Sequence, residues 1–335
     1  GYQSAIMAPT EILARQHYRT LAKLFPNFTQ GIGLLVSKEA RVSYGESLET
    51  DIKKPALLKE ASDGKIKILV GTHALIEKRV AFKNLGLVVV DEQHRFGVKQ
   101  RAALSSHAGL VPHFLSMSAT PIPRTIMMTI FGDLDLSIIS ELPKGRKEII
   151  TKIVDSENRD KAYAFIRGQV RRGRQVFVVC PRIEPSEANP ISSNWSSGWE
   201  QLEIKSVKEE YEKLAKTIFP DLKVAMLHGK MPAKGWVTKQ QVMADFAEGK
   251  IDVLVSTSVI EVGVDVPNAT IMMIEGSERF GLAQLYQFRG RVGRGEHQSF
   301  CFLFTESPSK NTSDRLNSLL TAKNGLELAE KDLRF

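Results

Sequence analysis

Cysteine is nearly absent from this 335-residue chain, which contains two, Cys180 and Cys301. Both sit in apolar, strand-like runs (176–180 and 300–304) with no metal-ligand spacing, so they read as reduced core residues of a cytoplasmic protein. No apolar stretch approaches transmembrane length and no signal peptide is visible, so no membrane partner is expected. A Gly-rich loop ending in Gly-Lys-Ser/Thr is also missing from the chain. Residue 1 is Gly rather than Met and leads straight into strand-like 4–8, so the chain reads as cut at its start. What is present is ordinary: 42% hydrophobic and 25% charged residues describe a soluble globular protein. The length suits two domains, each with its own core. A net charge of +8 fits a polyanionic partner without identifying one.

Short apolar runs alternate with helical stretches along both halves, the pattern of βαβ units on a parallel sheet. Strands are expected at 5–8, 32–36, 66–70, 85–90 and 114–117, with helices at 11–24 and 122–131. A Pro/Gly/charge cluster at 141–147 breaks the periodicity and reads as a linker. Beyond it, strands are expected at 149–154, 175–180, 223–227, 252–255, 270–274 and 299–304, with helices at 158–171, 207–218, 238–248 and 282–288. The polar stretch 183–198 reads as a surface loop. The expected organisation is a first α/β lobe (1–143), a second (144–306) and a helical segment (307–335) that also reads as cut.

The apolar run 85–90 ends in two adjacent acids, Asp91 and Glu92. A Val-rich run of this length reads as a parallel strand buried on both faces. Open α/β sheets bind ligands at the carboxyl ends of their strands. There Asp91 suits the water shell of a Mg²⁺ on nucleotide phosphates, and Glu92 suits polarising an attacking water. Taken alone, the pair reads equally well as a solvated acidic turn.

Hydroxyl residues follow several strands: Thr10, Thr72, Ser118 with Thr120, and Thr257. Ser and Thr cap helices, and helix N-termini bind anions. One junction is more simply a satisfied cap. Four at the same relative place suggest a row gripping backbone phosphates, hence sequence-independent binding. The run QFRGRVGR (287–294) adds Gln287 and arginines spaced by glycines that would let backbone approach a ligand. Guanidinium groups suit phosphoryl oxygens. An electropositive loop binding nucleic acid is the alternative, and pairing with Asp91-Glu92 favours the phosphoryl role.

In order, APTEILARQH (8–17), GTHALI (71–76), DEQHRFGVKQR (91–101), SATPIPRT (118–125), LHG (227–229), TSVIEVGVDVP (257–267) and QFRGRVGR (287–294) resemble the motor core of superfamily-two helicases. More narrowly they resemble the RecG family. The related transcription-repair coupling translocases usually carry Glu-Gln where Gln93-His94 stand here.

The resemblance covers nearly the whole chain and implies two tandem RecA-like parallel-sheet lobes with a nucleotide cleft between them. It implies ATP and Mg²⁺ as cofactors, with Asp91 holding the metal through water and Glu92 activating water. Gln93 and His94 would couple hydrolysis to movement, and Ser118, Ala119 and Thr120 would link the lobes. Gly263 and Asp265 would approach the nucleotide, Gln287, Arg291 and Arg294 would complete its site, and Thr10, Arg15, Thr72 and Thr257 would line the DNA track. It further implies a monomer that remodels branched DNA, such as stalled forks and Holliday junctions, mainly through backbone contacts, in repair and recombination.

Departures from the family pattern are the phosphate loop and wedge domain expected before residue 1, the duplex-coupling segment expected after 335, and a longer stretch at 230–241. These 335 residues alone are therefore expected to bind ATP poorly and to lack helicase activity. Competing readings are a nucleic-acid-binding module without catalysis, an RNA-directed motor, and a one-lobe phosphate-loop kinase or GTPase. The residues after the acids argue against the RNA motor, and the second-lobe arginines against the kinase or GTPase.

Overall fold

The computed structural model describes residues 1–37, 39–45, 49–77, 79–92, 111–118, 135, 137–139, 141, 147–181, 207–228, 231, 238–257, 266–306, 309–322 and 325–332. Two compact units divide the chain, 1–119 and 120–335.

The first unit is built on a seven-stranded mixed sheet in the order β4-β3-β2-β5-β1-β6-β7. Its strands are β1 (Gln3–Met7), β2 (Ile32–Val36), β3 (Glu39–Ser43), β4 (Glu49–Asp51), β5 (Ile68–Gly71), β6 (Leu85–Asp91) and β7 (His113–Met117). Strands β2, β5, β1, β6 and β7 are parallel, as the alternation predicts. The β3–β4 pair is antiparallel and extends the edge beyond β2. Periodicity does not single it out: the edge strand β4 is three exposed polar residues, and β3 offers only Ala40 and Val42 as buried apolar positions between Glu39, Arg41 and Ser43.

Helix α1 (Glu11–Leu24) has the expected bounds and buries Ala14 and Tyr18. Helix α2 (Lys54–Ser62), which was not anticipated, buries Leu57 and Ala61. Strand β6 lies between β1 and β7 with Val88 and Val90 fully buried, so the apolar run is an interior strand. The expected helix 122–131 and loop 183–198 lie outside the described residues.

The second unit carries a six-stranded parallel sheet in the order β10-β11-β9-β12-β13-β8. Its strands are β8 (Ile150–Val154), β9 (Gln175–Val179), β10 (Val224–Leu227), β11 (Val253–Ser256), β12 (Ala269–Ile274) and β13 (Phe300–Phe304). All six fall within a residue or so of the sequence expectation.

Helix α3 (Arg159–Arg171), a helix at 207–213 continuing as the π-helix Leu214–Ile218, α4 (Lys239–Ala247), α5 (Leu282–Arg289), α6 (Lys310–Thr321) and α7 (Gly325–Asp332) accompany the sheet. One core layer sets Phe177, Phe246, Met272 and Phe288 against one face; another sets Ile166, Phe219, Val253 and Phe304 against the other. Burial on both faces explains why these strands read as continuous apolar runs. Cys180 and Cys301 are unpaired thiols inside this core, and burial pushes both up, Cys301 to about 12. Among the described residues no helix is long and apolar enough to cross a membrane.

Candidate nucleotide and nucleic-acid site

Four adjacent parallel strands, β5, β1, β6 and β7, end at one edge of the first sheet. Met7 registers with Gly71 and with Val90, and Asp91 with Met117. Thr10, Thr72 and Ser118 therefore follow strand ends, and Asp91 ends a strand, on a single edge, the ligand-binding edge of open α/β sheets.

Asp91 is the last residue of β6, and its side chain is 19% exposed. Glu92 follows with φ +49°, the only described non-glycine residue with positive φ. The left-handed conformation costs such a residue about 1–2 kcal/mol, and strain of this kind concentrates at functional sites. Its effect is visible: Glu92 is 9% exposed, whereas a solvated acidic turn would leave the carboxylate in water. A partly exposed carboxylate at a strand end fits a hard cation that is otherwise held by phosphates and water.

His17 has no role among the residues singled out above, yet its Nε2 lies 2.8 Å from Asp91 Oδ2. The signal was available only as a helical position: His17 lies between Ala14 and Tyr18, the residues that seat α1 on the sheet.

The hydroxyls differ among themselves. Thr10 caps α1, its Oγ1 accepting from the Leu13 N–H at 3.4 Å, so here the simple cap explanation holds. Thr72 precedes a single 3₁₀ turn (His73–Ile76) and makes no side-chain cap bond. Ser118 is exposed. Thr257 follows β11, is 1% exposed, and its Oγ1 has no hydrogen-bond partner among the described residues. Arg15 is paired with Glu39 and, at 3.6 Å, with Glu11, so any phosphate it met would compete with two carboxylates.

In the second unit Gln287 lies in α5, Arg291 is half-buried and Arg294 exposed. Two glycines of this run, Gly293 and Gly295, pack against the protein itself. Gly293 has φ +79°, and a Cβ there would lie 2.9 Å from Ile149 Cγ1; one at Gly295 would lie 2.7 Å from the Pro267 carbonyl oxygen. They let the loop close onto its own protein. Arg289, not among the expected site residues, donates from Nη2 to the Ile149 carbonyl at 3.4 Å. Ile149, Pro267 and Ser299 precede β8, β12 and β13, so the arginine loop sits at the amino edge of this sheet. Thr257 stands at the carboxyl edge, and the fold separates the two sets.

A polar cluster also unforeseen in the sequence occupies that carboxyl edge. Glu275, just after β12, accepts from Arg159 Nη1 at 2.9 and 3.1 Å and from Tyr163 Oη at 3.4 Å, with Lys213 Nζ 3.8 Å away. Lys213 also holds Glu210 at 3.2 Å, and burial followed by the nearby Glu275 charge raises the Glu210 carboxyl above its usual range. His228, after β10, is held below its ordinary value by burial and by Lys239. Gln93, His94, Ala119, Thr120, Gly263 and Asp265 lie outside the described residues.

Residues 1–129 match the DEAD/DEAH box helicase family, and residues 157–296 match the helicase conserved C-terminal domain. The chain is similar to the ATP-dependent DNA helicase RecG of Synechocystis sp., 46% identical over 335 residues, covering all of this chain and 37% of that protein. It is 44% identical to RecG of Bacillus subtilis, again over its whole length and 45% of that protein. A solved structure of RecG bound to a three-way DNA junction superposes with a TM-score of 0.73 at 40% identity, over 99% of this chain and 40% of that one. The chain thus spans less than half the length of these relatives. Two helicase domains matched in order, with this identity along the entire chain, make it similar throughout its length to the corresponding stretch of RecG helicases.

Proposed function

We propose that the chain is the motor region of an ATP-dependent DNA helicase or translocase that remodels branched DNA in repair and recombination. The observation that carries this is the Asp91-Glu92 strand end, where a strained left-handed residue turns a nearly buried acid in beside a second one. Mg²⁺, when bound with ATP, supplies charge neutralisation at the phosphates. Asp91 holds that cation through water, Glu92 orients and polarises the attacking water, and Gln93 and His94 couple turnover to movement. Gln287, Arg291 and Arg294 bind phosphoryl oxygens, with Gly263 and Asp265 approaching the nucleotide. Ser118, Ala119 and Thr120 relay between the lobes.

Thr10, Arg15, Thr72 and Thr257 contact the DNA backbone, so affinity falls steeply with salt. The two lobes correspond to 1–143 and 144–306, with 307–335 a helical appendage, and the protein acts as a monomer in the bacterial cytoplasm. The test is DNA-stimulated ATP hydrolysis by the complete gene product. Glu92→Gln should abolish turnover while leaving affinity for forked DNA unchanged. Full turnover by that variant would sink the catalytic reading and leave a binding module.

A further inference from the structure

We propose that His17 is a positioning residue for Asp91, setting the carboxylate so that one oxygen is presented to the cation-bound water. This rests on the Mg²⁺ role given to Asp91 above. Ala14 and Tyr18 are buried against the sheet, one on each side of His17 along α1, so the helix delivers the imidazole to the end of β6 from a fixed base. Thr10 caps that helix and sets where it starts.

The 2.8 Å contact joins Nε2 to Oδ2, and because a carboxylate oxygen accepts, Nε2 carries the proton. A hydrogen bond to a charged acceptor is about twice as strong as a neutral one. With Oδ2 held, the carboxylate loses its freedom to rotate, and Oδ1 remains to accept from a water on the cation. At 29% and 19% side-chain exposure, both partners can be reached from solvent, as a nucleotide site requires. Groups that hold a metal-binding side chain in this way typically change metal affinity about 10–100-fold when removed.

The test uses the complete gene product and two readouts. One is Mn²⁺ binding in the presence of ADP, followed by electron paramagnetic resonance; the other is the Mg²⁺ concentration giving half-maximal ATPase. Glutamine places an amide N–H near the position of Nε2, whereas asparagine reaches only to about the position of Nδ1. The expected result is a loss of about tenfold in Mn²⁺ affinity for His17→Ala and His17→Asn, with His17→Gln near wild type. The half-maximal Mg²⁺ should rise in parallel, while KM for ATP at saturating Mg²⁺ holds.

A purely structural histidine would not rank the two amides this way, and both amides keep the helix polar if His17→Ala fails to fold. Wild-type Mn²⁺ affinity in His17→Asn would overturn the proposal, as would equal losses for Gln and Asn. Asp91→Asn separates this from the reading beneath it: undiminished Mn²⁺ affinity in that variant would overturn the metal role of Asp91 itself.

Discussion

The contact between Arg159 and Glu275 offers the sharpest test of how the second unit is held together. The two side chains are 16% and 10% exposed, and Arg159 Nη1 reaches both carboxylate oxygens. Glu275→Leu would leave Arg159 facing Lys213 with their shared counter-charge gone. Breaking a buried pair by removing one partner costs about 3–5 kcal/mol. Residual solvent contact lowers the expectation to about 2–4 kcal/mol, still well above the ~0–1 kcal/mol of a surface pair. Arg159→Met alone should cost a similar amount, although loss of its packing over the Phe304 ring (5.2 Å) adds to it. The double variant should cost much less than the sum, because no charge is stranded.

Urea unfolding followed by tryptophan fluorescence samples the second half of the chain selectively, since Trp195, Trp199 and Trp236 all lie there. A cost of under about 1 kcal/mol for Glu275→Leu, or strict additivity in the double variant, would refute the reasoning.

Gly293→Ala should destabilise by about 1–2 kcal/mol from positive φ alone. It should also impair ATPase, because the new methyl displaces the arginine loop from Ile149; urea unfolding and turnover of the complete gene product check both. Thr10→Ala should cost about 0.5–1 kcal/mol, the low end for a cap because its hydrogen bond is long, and Thr10→Ser should restore it. A loss of DNA affinity that Ser does not restore would show that the threonine methyl, rather than the cap, makes the contact. For His228 the folded value lies below its ordinary 6.5, so below pH 6.5 the unfolded chain binds more protons. Stability should therefore fall as pH drops through 6.5 and level off below the folded value. His228→Asn should flatten that slope in thermal melts taken across the window.

The order of elements was legible in the sequence because strands buried on both faces must be apolar throughout. Val88–Val90, Phe177–Val179 and Met272–Ile274 announce themselves without any knowledge of their neighbours. The β3–β4 pair did not, since the edge strand β4 faces water and carries charge as a loop does, and β3 is too short, with only Ala40 and Val42 apolar, to stand out from it. Asp91 and Glu92 stood out because adjacent acids ending a Val-rich run are chemically conspicuous. Residue type alone, however, left them balanced between a solvated turn and a site.

Sequence by itself therefore determined the chemistry available: acids at one strand end, hydroxyls at others, arginines after α5. Tertiary structure decided what those groups can touch. It brought His17 within 2.8 Å of Asp91 across 74 positions of chain and put Glu92 into a left-handed, nearly buried state. It tied Arg15 to Glu39, and set two glycines of the arginine loop against Ile149 and Pro267. The physical reason is that burial and local propensity are written in neighbouring residues. Pairing between side chains distant in sequence depends on strand order and helix seating, which exist only once the sheet has formed.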